Sequence, residues 1–183
     1  MITLTYSPIT EENLKEATAF QNQLFPDHDA YQNYYESVKG FRDASYFLAY
    51  YYDEIVGITG IYNEPCDKKS AWLGWIGVKE GYRRLHIGTG LLRYFEYLAL
   101  QRGYSFARLY ADGGDAIAKA FYENQGYVAE RYECPDDPAS KEAGIIIYSK
   151  PLGTTPCPAW DNKNIHLAEQ AEKEKSRQAQ ENK

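Results

Sequence analysis

The chain is expected to form an α/β (α+β) domain: a mixed, mostly antiparallel central sheet of about six to seven strands, flanked by about four helices. Three features predict this. Short runs alternate apolar and polar residues with period two, as half-buried strands do. Between them lie longer stretches with apolar residues on one helical face. Glycine, proline and polar loops punctuate the boundaries, and the resulting order is β-α-α-β-β-β-α-β-α-β-β. That order mixes antiparallel and crossover connections, which implies a sheet covered by helices.

Residues 2–6 (ITLTY) read as the first strand. Thr10 is placed to cap a helix reaching Leu24, with Asn13 at the capping-box position and Leu14, Ala17, Phe20 and Leu24 along one stripe. Pro26 ends it. Residues 29–38 form a second short helix carrying Tyr31, Tyr34 and Tyr35, stopped by Gly40. The apolar runs 45–52 and 55–62, around Asp53-Glu54, read as a hairpin. Residues 71–78 (AWLGWIGV) read as one further strand, too short for a helix.

The segment 88–103 is the clearest helix: Leu91, Leu92, Phe95, Leu98 and Ala99 share a face, and Gly103 stops it. Residues 105–112 alternate as a strand. Asp115 can cap a helix running to about Asn124, with Gly126 as its stop. Residues 127–133 and 143–149 are the last strands, joined by a loop rich in turn residues. The organisation is therefore a domain over 1–152 and a polar tail over 153–183. The tail is helical, through pairs such as Glu169 and Lys173, or disordered.

Bulk properties narrow the function classes. The 183 residues suffice for one domain with a real core. The net charge is −6. Phosphate backbones need clustered Lys and Arg, so no nucleic-acid partner is expected, and an acidic balance favours a cationic partner. The three cysteines, Cys66, Cys134 and Cys157, are odd in number and form no CxxC pair, so they are read as reduced, with no zinc site. No basic segment followed by an apolar run opens the chain, and no stretch approaches the roughly 18 apolar residues that span a bilayer. A cytoplasmic location, with no membrane partner, is the expectation. The 18 tyrosines suit half-buried strands and pocket walls.

Chemistry concentrates in WIGVKEGYRRLHIGTGLL, Trp75 to Leu92. A strand ends, Arg83 and Arg84 follow, and Gly88-Thr89-Gly90 opens an amphipathic helix. A helix start leaves backbone N–H groups unpaired and carries partial positive charge. Glycine lets an anion approach the backbone, and arginine adds charge-assisted donors. Together these make a site for a phosphate or diphosphate.

In register, the segment resembles the acetyl-CoA-binding motif of the GNAT superfamily of N-acetyltransferases. That motif is Arg/Gln-x-x-Gly-x-Gly/Ala, preceded by a strand ending in Val. Val78, Arg83 and Gly88 fall on it, while His86 stands where the family usually has the first glycine. A second stretch, DAIAKAFYENQGY (Asp115 to Tyr127), resembles the family's Asn-x-x-Ala-x-x-x-Tyr-Glu-x-x-Gly-Phe/Tyr helix, with Asp115 in place of the frequent Asn. The resemblance covers residues 2–152, with its motifs in 71–127.

The resemblance implies a GNAT-like fold and an acyl-CoA-dependent N-acyltransferase. Such an enzyme moves an acetyl group from acetyl-CoA, its co-substrate, to a primary amine of a small molecule, peptide or protein, without a metal. It implies that Arg83, Arg84, Leu85, His86, Ile87, Gly88, Thr89 and Gly90 hold the diphosphate, the amides of 84–90 acting as the cradle. Acyl transfer passes through an oxyanion, for which an amide of Ile76, Gly77 or Val78 at the strand end is the candidate. Asp115, Lys119 and Tyr122 are assigned to the cofactor by the same resemblance. Tyr122 is also the general acid, because a phenol with an ordinary pKa near 10 can protonate a leaving thiolate.

Many relatives carry a glutamate base on the strand before the loop. Here residues 71–75 hold no carboxylate, which leaves Glu64, Asp67 and His28 as candidates, or no dedicated base at all. The family binds its acceptor with the first two helices, the loop after the third strand and the last hairpin. Those pieces carry Phe25, Asp27, His28, Asp29, Tyr31, Tyr34, Tyr35, Glu64 and Glu133, and aromatics with carboxylates suit a cationic amine. Two other readings stay open: a non-catalytic acyl-CoA-binding regulatory module, and an acyltransferase acting on charged tRNA, against which the charge of −6 counts. Exposed Trp and Tyr near the last strands are candidates for a homodimer interface.

Overall fold

A computed structural model describes residues 2–134, 140, 142 and 144–160. Among the described residues are eight strands and four α-helices, in the mixed, mostly antiparallel arrangement expected. In chain order they are β1 (Thr5–Pro8), α1 (Leu14–Leu24), α2 (Tyr31–Val38), β2 (Ala44–Tyr51), β3 (Glu54–Asn63), β4 (Ser70–Leu73), β5 (Gly77–Val78), α3 (Ile87–Gln101), β6 (Phe106–Asp112), α4 (Ala116–Asn124), β7 (Val128–Arg131) and β8 (Ile145–Pro151). They form two compact units: Met1–Asn63 with Ala71–Tyr104, and Glu64–Ser70 with Ser105–Lys183. The helical or disordered state expected for the end of the tail, 161–183, lies outside the described residues, as does most of the loop 135–143.

In the first unit the strands lie in the order β1-β2-β3-β4, each antiparallel to its neighbour, and β5 pairs β3. Side-chain alternation along β2 supplies both faces of this sheet. Tyr46 and Leu48 point to one side, where Leu14, Ala17, Phe20 and Tyr34 of α1 and α2 complete a core with Ile58. Phe47 and Ala49 point to the other, Phe47 against Tyr94 of α3 and Ala49 in a cluster with Val56, Ile87 and Leu91. Leu48 and Ile58 are wholly buried, each worth about 1.5–3 kcal/mol by the area it removes from water.

Among the boundaries that differ from the reading of the sequence are two near the start of the chain. The first strand is Thr5–Pro8 rather than 2–6, because pairing with β2 begins at Thr5 opposite Tyr50, while Ile2 and Leu4 pack into the cluster beneath α3. Helix α1 begins at Leu14 with Asn13, not Thr10, at its N-cap, and the Asn13 side chain accepts from the Thr10 amide at 2.7 Å, closing the turn before the helix rather than capping it.

The strand expected over 71–78 is two strands. Leu73 lies opposite Ile61 and Gly77 opposite Ile58, so residues 74–76 face only Gly60 and Thr59. One extra residue on one strand is a bulge, which bends the strand and interrupts its ladder. Trp75 then packs on the α1–α2 face and Ile76 on the α3 face. Gly77 accepts this geometry because the end of α1 presses on it: a Cβ there would lie 2.7 Å from Leu24 Cδ1 and 3.0 Å from Phe25.

In the second unit the order is β6-β8-β7, again antiparallel, with α4 packed on β7. Arg108 of β6 is fully buried. It donates to Ser70 and Ser149 and, at 3.1 Å, to the Pro158 carbonyl, with its Nε 3.2 Å from Asp67 Oδ2. The Asp67 contact is an ion pair by distance; the Nε–H bond itself goes to Ser70. Trp160, from the start of the tail, is buried against the Arg108 guanidinium at 5.5 Å and donates its amide to Glu130.

Candidate active site

After β5 a short 3-10 turn, Glu80–Tyr82, leads into the loop before α3. Arg84 (φ 64°) and His86 (φ 62°) are both left-handed, a conformation that costs a residue with a side chain roughly 1–2 kcal/mol. His86 occupies the place where glycine was expected, and its φ explains that preference. The amides of Tyr82 and Arg83 donate to Lys79 and Glu80, and that of Gly90 donates to His86. Among the described residues none accepts from the amides of residues 84–89. Helix α3 also has no side-chain cap and no acid in its first turn. The partial positive charge of the helix start is therefore met by no acidic side chain in its own first turn. Arg83, Arg84, Leu85 and His86 are exposed, while Ile87 is buried and anchors the helix end in the core.

Gly90 contributes room to the fold. Its amide is already used, and a Cβ there would lie 3.1 Å from Leu4 and 3.4 Å from the Tyr6 hydroxyl. Upstream, the Glu54 carboxylate at the β2–β3 turn accepts from both Lys79 and Tyr82. These bonds draw the Glu54 acid below the usual carboxylate range, Lys79 first and Tyr82 second. They brace the turn that enters the loop, a role the sequence reading missed.

The strand break supplies the second part of the site. Lys79 donates to Val56, so by ladder alternation the Val78 amide points away from β3 and that of Gly77 toward it. Among the described residues no carbonyl accepts from the Trp75 or Ile76 amides. Of the amides expected to face an oxyanion, Ile76 and Val78 are the ones left outward. Beside the break lie Phe25, ring centroid 5.0 Å from Trp75, and His28, 5.2 Å from Trp75.

Each of the remaining candidates has its own surroundings. Tyr34 is buried and donates to Gln21, a core role. Tyr31 and Tyr35 stack on each other at 6.0 Å. Glu64 and Asp67 belong to the second unit, as does Glu133, which lies 3.3 Å from Arg131. There, Asp115 caps α4 as expected, its carboxylate accepting from Ile117 and Ala118 at 3.0 and 2.9 Å. Lys119 is exposed one turn later. Tyr122 is buried among Phe121, Tyr127 and Tyr148. Burial, then Tyr148 and Asp115, push its hydroxyl well above the usual phenol range.

Comparison with known proteins settles the family. The model of the acetyltransferase (GNAT) family matches residues 10–127, which includes the loop, the strand break and α4. The chain belongs to the GNAT acetyltransferase family. No curated protein sequence matches it. Solved structures share the GNAT fold at low identity. A GNAT-family protein from Desulfovibrio desulfuricans is 17% identical with a TM-score of 0.67, over 82% of this chain and 100% of that one. PaiA N-acetyltransferase from Thermoplasma acidophilum, solved with coenzyme A, is 15% identical with a TM-score of 0.62, over 81% and 99%. The ribosomal-protein-S18-alanine N-acetyltransferase of Escherichia coli is 19% identical with a TM-score of 0.62, over 87% and 100%. At these identities the likeness speaks for the GNAT fold. Among the described residues no helix is long and apolar enough to cross a membrane.

Proposed function

We propose that this GNAT protein transfers an acetyl group from acetyl-CoA to a primary amine of a small molecule, peptide or protein. The observation that carries the proposal is the run of amides over residues 84–89 with no acceptor, gathered by left-handed Arg84 and His86 at the start of α3. A diphosphate fits such a cradle: its oxygens are strong acceptors, and Arg83 and Arg84 add charge. A relative of the same fold, the Thermoplasma PaiA enzyme, was solved with coenzyme A.

The thioester supplies the acetyl group and a thiolate as leaving group. The amides of Ile76 and Val78, turned away from β3, offer dipoles for the oxyanion that develops on its carbonyl. Tyr122 gives the leaving sulfur its proton. Burial raises its hydroxyl above the usual phenol range, so it meets the reaction protonated, and the driving force for transfer comes from the thiolate that develops on sulfur. Asp115 and Lys119 act beside it, the first by fixing the start of α4. Phe25, His28 and Trp75, with Asp27 and Asp29 on the same loop, receive the acceptor, and a cationic amine suits aromatic faces with nearby carboxylates. The reading needs no nucleic-acid or membrane partner.

Turnover with acetyl-CoA and a panel of amines tests it, reading thiol release together with the mass of the acetylated product. The expected result is amine-dependent thiol release matched by product. Binding of acetyl-CoA with no transfer to any amine would point instead to a non-catalytic CoA-binding module.

A further inference from the structure

We infer that His28 is the proton acceptor for the amine nucleophile. The inference rests on the acetyltransferase reading above and assigns the role that β4 and β5 leave open, because residues 70–78 contain no carboxylate.

The three candidates separate on the structure. Asp67 is 5% exposed and committed to the buried Arg108, 3.2 Å away. As the counter-ion of a guanidinium buried from solvent, it is needed as a fixed charge. Glu64 sits at the start of the loop that carries Asp67, and its carbonyl accepts from the Asp67 amide. His28 lies beside the strand break. Its ring is 5.2 Å from Trp75, the middle residue of the bulge, and the next residue of the strand, Ile76, carries an amide with no backbone acceptor among the described residues.

Three further observations fit a working base. His28 is half-buried, so the residue is not sealed from the solvent to which the proton must eventually go. Among the described residues neither ring nitrogen has a hydrogen-bond partner, whereas a histidine serving the fold would normally spend one. The ring is also held in place: the His28 amide donates to the Phe25 carbonyl at 3.1 Å, and Phe25 packs on Trp75 at 5.0 Å and against Gly77. The element packed against His28 presents the neutral Trp75 indole. Carboxylates come from its own loop, Asp27 and Asp29, and Asp29 already accepts from the Tyr31 amide at 2.9 Å.

The protons balance. His28 takes the proton that the amine nitrogen loses as its lone pair bonds to the acyl carbon. Tyr122 gives the proton that sulfur gains as the carbon–sulfur bond breaks with its electron pair. Solvent then removes one proton from the imidazolium and returns one to the phenolate, leaving the enzyme unchanged.

The test compares the wild type with His28→Gln and His28→Ala, using acetyl-CoA and an amine found by turnover. Both variants should keep CoA affinity within about twofold and melt as the wild type does. Their kcat should fall at least twentyfold. Added imidazole should restore part of the rate to His28→Ala and none to His28→Gln. A readout without turnover accompanies these. In the dead-end complex with CoA, adding the amine should shift the ring resonance that His28→Gln deletes. A kcat within threefold of wild type, or an unshifted His28 resonance, overturns the assignment. Absence of CoA binding in the wild type overturns the acetyltransferase reading and the His28 role with it.

Discussion

The Glu54 carboxylate accepts a hydrogen bond from the Tyr82 hydroxyl, tying the β2–β3 turn to the turn that enters the loop before α3. Lys79 completes the brace from the same side. Glu54→Gln should therefore weaken CoA binding by about twofold to fivefold, since the loop must be ordered again on binding. The pH dependence has a definite sign. The Glu54 acid is lowered in the folded state, so the brace stands above the ordinary carboxylate range and fails as pH falls through the depressed value. The group is exposed, so the effect belongs to the loop and adds little to global stability. Calorimetric titration with CoA from neutral to acid pH, on both proteins, measures it.

His86 holds a left-handed conformation at a helix start without capping it. His86→Gly should remove that strain and stabilise the fold by about 0.5–1 kcal/mol, after the extra chain entropy that glycine brings to the unfolded state. His86→Ala should gain nothing. Urea unfolding of the three proteins decides this, and CoA affinity should survive in all of them because the donors are main-chain amides.

Tyr122→Phe removes the hydroxyl and keeps the ring among Phe121, Tyr127 and Tyr148. The kcat should fall at least about tenfold with cofactor affinity kept, the pattern of an interaction made only in the transition state. Steady-state kinetics beside a CoA titration checks both halves, and an unchanged rate removes Tyr122 from the acid role.

Much of this was legible in the sequence, for physical reasons that can be named. The α3 stripe of Leu91, Leu92, Phe95 and Ala99 is long and periodic, and its core face is the one expected. Asp115 announces α4 because a cap is a local interaction, and the carboxylate does bond the amides two and three residues on. The break between β4 and β5 was missed because an apolar run reads as one strand whether or not its ladder is continuous. Gly74 and Gly77 were the available signal, since glycine inside a strand marks a bulge or a close backbone approach. The Phe25–His28–Trp75 grouping joins positions far apart in the chain, and no periodicity reports it. Trp160 and Arg108 are a related case: a tryptophan in a polar, proline-rich segment suggests docking on the body, but nothing local names a buried guanidinium as what it covers.

Asp67 balances that guanidinium inside the second unit. Asp67→Ala leaves Arg108 with only neutral acceptors at Ser70, Ser149 and Pro158. Breaking a buried pair from one side should cost about 3–5 kcal/mol. Urea unfolding gives the cost, and the rate per folded molecule, measured at low temperature, should stay near wild type if Asp67 plays no part in proton transfer.

Calorimetry tests the central claim most directly, with acetyl-CoA compared against acetyl-pantetheine, which carries the same thioester without the diphosphate. If the amides of residues 84–89 hold that diphosphate, acetyl-CoA binds at least about a hundredfold more tightly, close to 3 kcal/mol, and the advantage shrinks with added pyrophosphate. Equal affinity for the two thioesters, or no association with either, contradicts the account.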